Sequence, residues 1–177
     1  MKSVDEVLLR PWIALITLGC FFLPLLSHAQ NRAEPESDLP RILVSSAKVI
    51  GAGELAARVE KMEGASCGDT SRRVNHTTAV KDFVGARVKT IRVLHYARER
   101  NFSKPVEVRA LVSKVWQGSF LDQPACGIVW DEGTWWSIES ALEFKDGKKG
   151  LLITDGEHVA IRDHEGKSWF FRLWSGS

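Results

Sequence analysis

The stretch TWWSIESALEFKDGKKGLLITDGEHVAIRDHEGKSWFFRLW, residues 134–174, decides the fold of this chain. Apolar and polar residues alternate along it in four runs, and Asp-Gly pairs at 146–147 and 155–156 separate the first three. Asp-Gly between alternating runs predicts a hairpin, because type I′ turns need a positive φ at both central residues. A longer turn over 163–166 precedes the last run. The pattern therefore predicts a four-stranded antiparallel meander over about 134–174.

The segment that begins at residue 41 predicts a strand followed by a helix. Residues 41–50 are rich in β-branched side chains, which favours a strand, and Gly51 and Gly53 end it. A short helix is expected over Glu54–Met62, since its apolar residues recur at i, i+4 and i+7 and so share one face. Those residues are Leu55, Val59 and Met62.

The central segment is ambiguous between helix and strand. We predict a helical turn at 79–84 and a strand at about 87–98, where β-branched residues cluster. Val106–Trp116 is interpreted as a strand because its first apolar residues alternate, and a helix that begins at Pro105 is the alternative. The predicted fold is α+β, with a curved antiparallel sheet of five to seven strands and one short N-terminal helix covering part of a face. A small β-barrel or sandwich is the alternative.

The first 29 residues have the pattern of a secretory signal peptide. Lys2 and Arg10 flank a polar start, an apolar run follows from Trp12 to Leu26, and Ser27-His28-Ala29 ends it. About 15 apolar residues are fewer than the roughly 20 that a membrane-spanning helix needs, so a retained anchor is the weaker alternative. Lipoprotein processing at Cys20 is weaker still, because the apolar run continues past it. We therefore predict an exported protein, periplasmic or extracellular, with a flexible leader over 30–40 and one domain over 41–177.

Composition excludes several classes of protein. The signal peptide carries two basic and two acidic residues, so the remaining chain keeps the net charge of +2. Such a balanced charge does not favour binding to nucleic acid or to an anionic membrane surface. No sequence motif indicates a cofactor.

Two cysteines, Cys67 and Cys126, remain after cleavage of the signal peptide. An even number of cysteines in an exported protein predicts a disulfide. The closed loop of about 60 residues would stabilise the fold by roughly 4 kcal/mol in the chain-entropy description. Free structural thiols or one reactive thiol are the alternatives, although the chain has no CxxC motif.

The aromatic residues of the meander divide between two faces by strand alternation. One set occupies the same alternating strand positions as the other apolar residues and is expected in the core: Trp136, Trp169 and Phe171. The other set lies on a mixed polar face and forms our candidate binding surface: Trp135, Phe170, Trp174, His158 and Arg162. Aromatic side chains on such a face can stack on a sugar or anchor a protein partner.

Signals for catalysis are weak. The histidines lack metal-ligand spacing, so no metal site is expected. Glu139 and Glu143 share a strand face at about 13 Å, which is too far apart for a glycosidase pair. A hydrolase would have to draw on residues far apart in sequence, from the set His95, His158, Asp163 and Glu143. Two glycosylation sequons begin at Asn75 and Asn101 and matter only in a eukaryotic source.

Three functions are consistent with these observations. The first is a non-catalytic module that binds a protein or a glycan in the cell envelope or outside the cell. The second is a small secreted hydrolase, and the third is an accessory subunit whose apolar edge or face is completed by a larger assembly. We favour the first, because no catalytic spacing is visible and the disulfide, the meander and the aromatic face agree with it.

Overall fold

The computed structural model describes residues 39–63, 74–84, 87–102, 104–125 and 135–174. The predicted signal peptide, most of the leader and both cysteines of the expected disulfide lie outside these residues. The described chain forms a mixed seven-stranded sheet with helices, and the sheet does not close into a barrel.

Eleven elements follow one another along the described chain. They are β1 (Arg41–Leu43), β2 (Lys48–Ile50), α1 (Ala52–Glu63), α2 (Val80–Val84), β3 (Val88–Ala97), a 3₁₀ turn (Arg98–Arg100), α3 (Pro105–Gln117), β4 (Ile138–Phe144), β5 (Lys149–Thr154), β6 (His158–Arg162) and β7 (Ser168–Arg172).

The sheet has an antiparallel part and a parallel edge. Strands β3 to β7 pair in sequence order, each antiparallel to the next. Strands β1 and β2 both run parallel to β3, so the prediction of a wholly antiparallel sheet is wrong at this edge. The physical reason is the connection, since the long crossover that contains α1 returns the chain to the sheet in the same direction.

Residues 41–50 form two short strands rather than one. The amide of Ala47 donates to the carbonyl oxygen of Val44 at 3.1 Å, which closes a turn between β1 and β2. The two strands follow each other along the same side of β3, opposite Thr90–Arg92 and His95–Ala97.

The segment 106–116, which we interpreted as a strand, is helical. Pro105 stands at the start of α3, where its missing N–H and fixed φ suit a first helical turn. Val108, Val112 and Val115 recur at helical spacing and are buried, so the helical stripe outweighs the β propensity of the valines.

Each face of the sheet carries its own apolar core. The larger core lies under α2 and α3, where Phe83 packs edge to face against Trp169 at 5.0 Å between ring centroids. The smaller core lies under α1 and joins Leu55, Val59 and Met62 to the sheet.

The predicted core residues Trp136, Trp169 and Phe171 are all buried. Trp136 belongs to the smaller core, however, whereas Trp169 and Phe171 belong to the larger one, so the three do not share a face of the sheet.

Three hairpin turns connect β4 to β7, and glycines with positive φ stand in them at Gly147, Gly156 and Gly166. Asp146 and Asp155 do not have positive φ, so the expectation of type I′ geometry at the two Asp-Gly turns is wrong, although the hairpins form. In the described residues, no helix combines the length and the apolar character needed to cross a membrane.

Candidate functional site

A hydrogen-bonded cluster around the buried Glu139 joins α1 to the sheet. His95 Nδ1 lies 2.5 Å from Glu139 Oε2, and Arg58 donates to the same carboxylate oxygen at 3.1 Å. Arg58 also bonds to Glu54 one helical turn earlier at 2.8 Å. The Glu139 side chain is only 5% exposed, and hydrogen bonds to Arg58 and His95 offset the cost of burying its carboxyl group.

This cluster connects a helix to two strands of the sheet. The hydrogen bond with Glu54 raises the pKa of the Arg58 guanidinium above its ordinary value, and the charge of Glu139 adds to this effect. The bonds connect α1 with β3 and β4, which are three elements far apart in sequence. The cluster therefore fixes the position of α1 on the sheet.

The hydrolase candidates do not converge. His95 bonds to Glu139, whereas His158 Nδ1 lies 2.9 Å from Asp155 in the β5–β6 turn. Glu143 pairs with Arg92 at 3.1 Å at the surface. Asp163 accepts the amides of Glu165 and Lys167 and so holds its own turn. Each of the four thus has a separate partner set, and the described residues hold no group of three or more His, Cys, Asp or Glu side chains suited to a metal ion.

The candidate aromatic surface is divided by α1. Trp135 and Trp174 are 59% and 41% exposed, but Phe170 is 3% exposed and belongs to the smaller core. The prediction of one open aromatic face is therefore wrong at Phe170, because alternation assigns a residue to a face and α1 covers that part of the face. Trp135 precedes β4 and Trp174 follows β7, with two strands between them, or about 14 Å at normal strand spacing.

The two polar members of the candidate surface are also partly buried. Arg162 lies opposite Ser168 in the β6–β7 pair, and its Nε is buried without a hydrogen bond. His158 is held by Asp155 through both its ring and its backbone amide.

The sequons have different surroundings. Asn75 is exposed, and its side-chain oxygen accepts hydrogen bonds from Thr77 and Thr78 within a tight turn. Asn101 is exposed and adopts the left-handed conformation after the 3₁₀ turn.

A groove of about 620 Å³ lies between β1 and the outer side of α3 and is hereafter called the β1–α3 groove. Val106, 60% exposed, stands at one end of its helical wall, and the buried indole of Trp116 stands at the other. The lining is mainly apolar, with Leu39, Ile42, Val106, Ala110 and Trp116 as its principal apolar members. Its volume falls within the range of small-molecule pockets.

The charged groups of the groove are all basic. Arg41 on β1 and Arg109 on α3 line it, and no acidic side chain among the described residues does so. Neither guanidinium forms an ion pair with another described residue. The Nε1–H of Trp116 is buried and has no hydrogen-bond acceptor in the described structure. The groove thus combines apolar walls with two basic side chains that have no ion-pair partner among the described residues.

Sequence reasoning missed this groove because it depends on α3 being a helix. Val106, Arg109, Ala110 and Ser113 are three or four residues apart, which places them on one side of a helix but on alternating faces of a strand. Pro105 was the signal that could have found it.

Comparison with known proteins finds no match: no protein family, no curated protein and no solved structure is significantly similar to this chain.

Proposed function

We propose that this chain is an exported, non-catalytic protein-binding module and that the β1–α3 groove is its binding surface. The observation that carries the proposal is the groove itself, an open apolar concavity with exposed Val106 and Leu39 at its rim. Large exposed apolar residues clustered around a concavity are typical of interaction sites. The separate partners of His95, His158, Asp163 and Glu143 favour binding over hydrolysis.

The experiment is an affinity capture from envelope and secreted extracts of the host, with the protein expressed from its full-length sequence. Val106→Asp places a charge at the rim of the groove. It also stands in the first turn of α3, where an acidic residue interacts favourably with the helix dipole, so folding is preserved. We expect a partner that the native protein retains and Val106→Asp loses.

Trp135→Ala is the matched control, since Trp135 is equally exposed but lies outside the groove. It should retain the same partner. The proposal fails if the native protein retains no specific partner, or if Val106→Asp and the native protein retain the same partner equally.

Export is proposed from the sequence of residues 1–29. Cell fractionation should place the protein in the periplasm or the medium, and mass spectrometry of its N-terminus should find Gln30 as the first residue. A cytoplasmic protein that keeps its N-terminus would refute this part of the proposal.

Glycan binding is the second candidate, because exposed Trp135 lines a separate cavity of about 140 Å³ with Glu99 and Arg100. Arg100 is held in place by Ser137 Oγ at 2.8 Å and by the carbonyl oxygen of Asp155. An indole beside fixed polar groups is suited to stacking on a sugar ring. A glycan array probed with the native protein and with Trp135→Ala tests glycan binding at this cavity. A glycan that the native protein binds and the variant does not would support the proposal.

A further inference from the structure

We propose that the β1–α3 groove binds an extended peptide segment in which apolar and acidic residues alternate, and that this segment adds as a strand to the free edge of β1. The inference rests on the proposed function and names the chemistry of the partner at that same site. Three features of the described residues support it: the strand edge, the length of the groove and its charge.

The edge supplies backbone partners. β1 is the last strand on its side of the described sheet, and its strand neighbour is β3. An edge strand presents unpaired N–H and C=O groups that an extended segment can bind. Because β1 is short and α3 stands beside it, the groove limits which segments can reach this edge.

The length of the groove suits a short strand. The helical wall from Val106 to Trp116 extends about 15 Å at 1.5 Å per residue. Four or five extended residues cover about the same distance at roughly 3.3 Å each. Alternate side chains of such a segment would point into the apolar wall formed by Val106, Ala110 and Ile42.

The charge selects acidic segments. Arg41 and Arg109 reach the groove from its two walls and have no ion-pair partner within the described residues. A guanidinium binds a carboxylate through two parallel hydrogen bonds, which gives both attraction and orientation. A neutral segment would leave both cations unpaired, and a basic one would be repelled.

The test begins with a random peptide library selected on the full-length-expressed protein. We expect the selected peptides to alternate apolar residues with aspartate or glutamate. A labelled selected peptide is then measured by fluorescence anisotropy together with its glutamine and asparagine analogue. The analogue should bind at least tenfold more weakly. Addition of 0.5 M NaCl should also lower the affinity of the acidic peptide, because salt screens the attraction between charges.

Protein variants locate the binding site. The double change Arg41→Gln with Arg109→Gln should weaken binding of the acidic peptide at least tenfold. Arg98→Gln is the matched control, since Arg98 is exposed and lies outside the groove, and it should leave the affinity unchanged. Amide exchange of Arg41–Leu43 should slow on saturation with the peptide, which distinguishes strand addition from side-chain contact alone.

Selected peptides without acidic residues, an unchanged affinity in the double variant, or unchanged amide exchange in β1 would each overturn the inference. So would a failure to select any peptide, including the case in which a second copy of the chain occupies the edge and the protein elutes as a dimer. A host partner lost in Val106→Asp together with no selected peptide would leave the proposed function standing and refute only this inference.

Discussion

At the scale of single residues, Glu139 and Phe170 show what strand alternation can and cannot predict. Alternation assigned Glu139 and Glu143 to one face, yet the first is buried under α1 and the second is half-exposed beside Arg92. Phe170 was assigned to the same face as Trp135 and is buried in the smaller core. The face of a residue follows from its position in the strand, whereas its burial depends on an element that packs from far away in sequence.

We expect Glu139→Gln to lower the free energy of unfolding by about 2 kcal/mol, because Arg58 and His95 lose their charged acceptor in a buried position. Glu143→Gln is the matched control, since its pair with Arg92 is at the surface and should contribute less than about 1 kcal/mol. Urea unfolding at constant m-value measures both. Equal losses of unfolding free energy in the two variants would refute the conclusion that the Glu139 cluster holds α1 on the sheet.

Gly156 offers a second test at this scale. Its φ is +104°, and a β carbon there would lie 2.9 Å from Leu111 Cδ1, whereas Gly147 has φ +81° with nothing within 4 Å. Alanine at either site meets backbone strain of about 1–2 kcal/mol. We expect Gly156→Ala to lose roughly 1 kcal/mol more than Gly147→Ala in thermal or urea unfolding, in line with ordinary overpacking. Adding Leu111→Ala to both should remove the difference, and a difference that persists would contradict the steric explanation.

At the scale of elements, α1 could be predicted and α3 was misassigned. The stripe of Leu55, Val59 and Met62 has a single interpretation, because the charged residues between them fall on the opposite side. The segment that forms α3 is rich in valine, so strand propensity and helical spacing point in opposite directions. The segment is helical because Val112 is buried against the sheet, and that contact cannot be inferred from the local sequence.

The start of α1 depends on a side chain from another element. Gly51 precedes the helix and offers no capping side chain, and Glu99 Oε2 instead accepts the amide of Ala52 at 2.9 Å. We expect Glu99→Ala to lower the free energy of unfolding by about 1 kcal/mol, as the loss of a capping side chain does. Amide exchange at Ala52 should accelerate.

Glu60→Ala, on the exposed side of the same helix, serves as its control and should leave both quantities nearly unchanged. If exchange at Ala52 is the same in both variants, Glu99 does not cap the helix.

At the scale of the whole molecule, the sequence predicted an α+β sheet but could not predict its mixed topology. Hairpins are encoded locally by their turn residues, as Gly147 and Gly156 illustrate. The parallel pairing of β1 and β2 with β3 has no local signature, since it depends on where the intervening helices place the returning chain. The groove arises from that pairing together with α3, and so it too was beyond sequence reasoning.

The expected disulfide between Cys67 and Cys126 stays a prediction, as both residues lie outside the described structure. We expect the oxidised protein to show no free thiol on denaturation without reductant. Reduction should lower the free energy of unfolding by roughly 4 kcal/mol, because the unfolded chain regains the entropy of a loop of about 60 residues. Thiol labelling followed by mass spectrometry measures the first quantity and urea unfolding the second. Two reactive thiols in the native oxidised protein would contradict the pairing.

The parallel edge of the sheet also has a consequence for the order of folding. Its pairings join residues about 50 positions apart, whereas each hairpin between β4 and β7 closes over a few residues. Short loops close faster, so we expect the hairpins to form first and the N-terminal edge to dock last. Because synthesis starts at the N-terminus, β1 emerges long before β3 and β4, which form the sheet that it joins. Ligand binding at β1 would then begin only after β3 and α3, which complete the sheet edge and the groove, are in place.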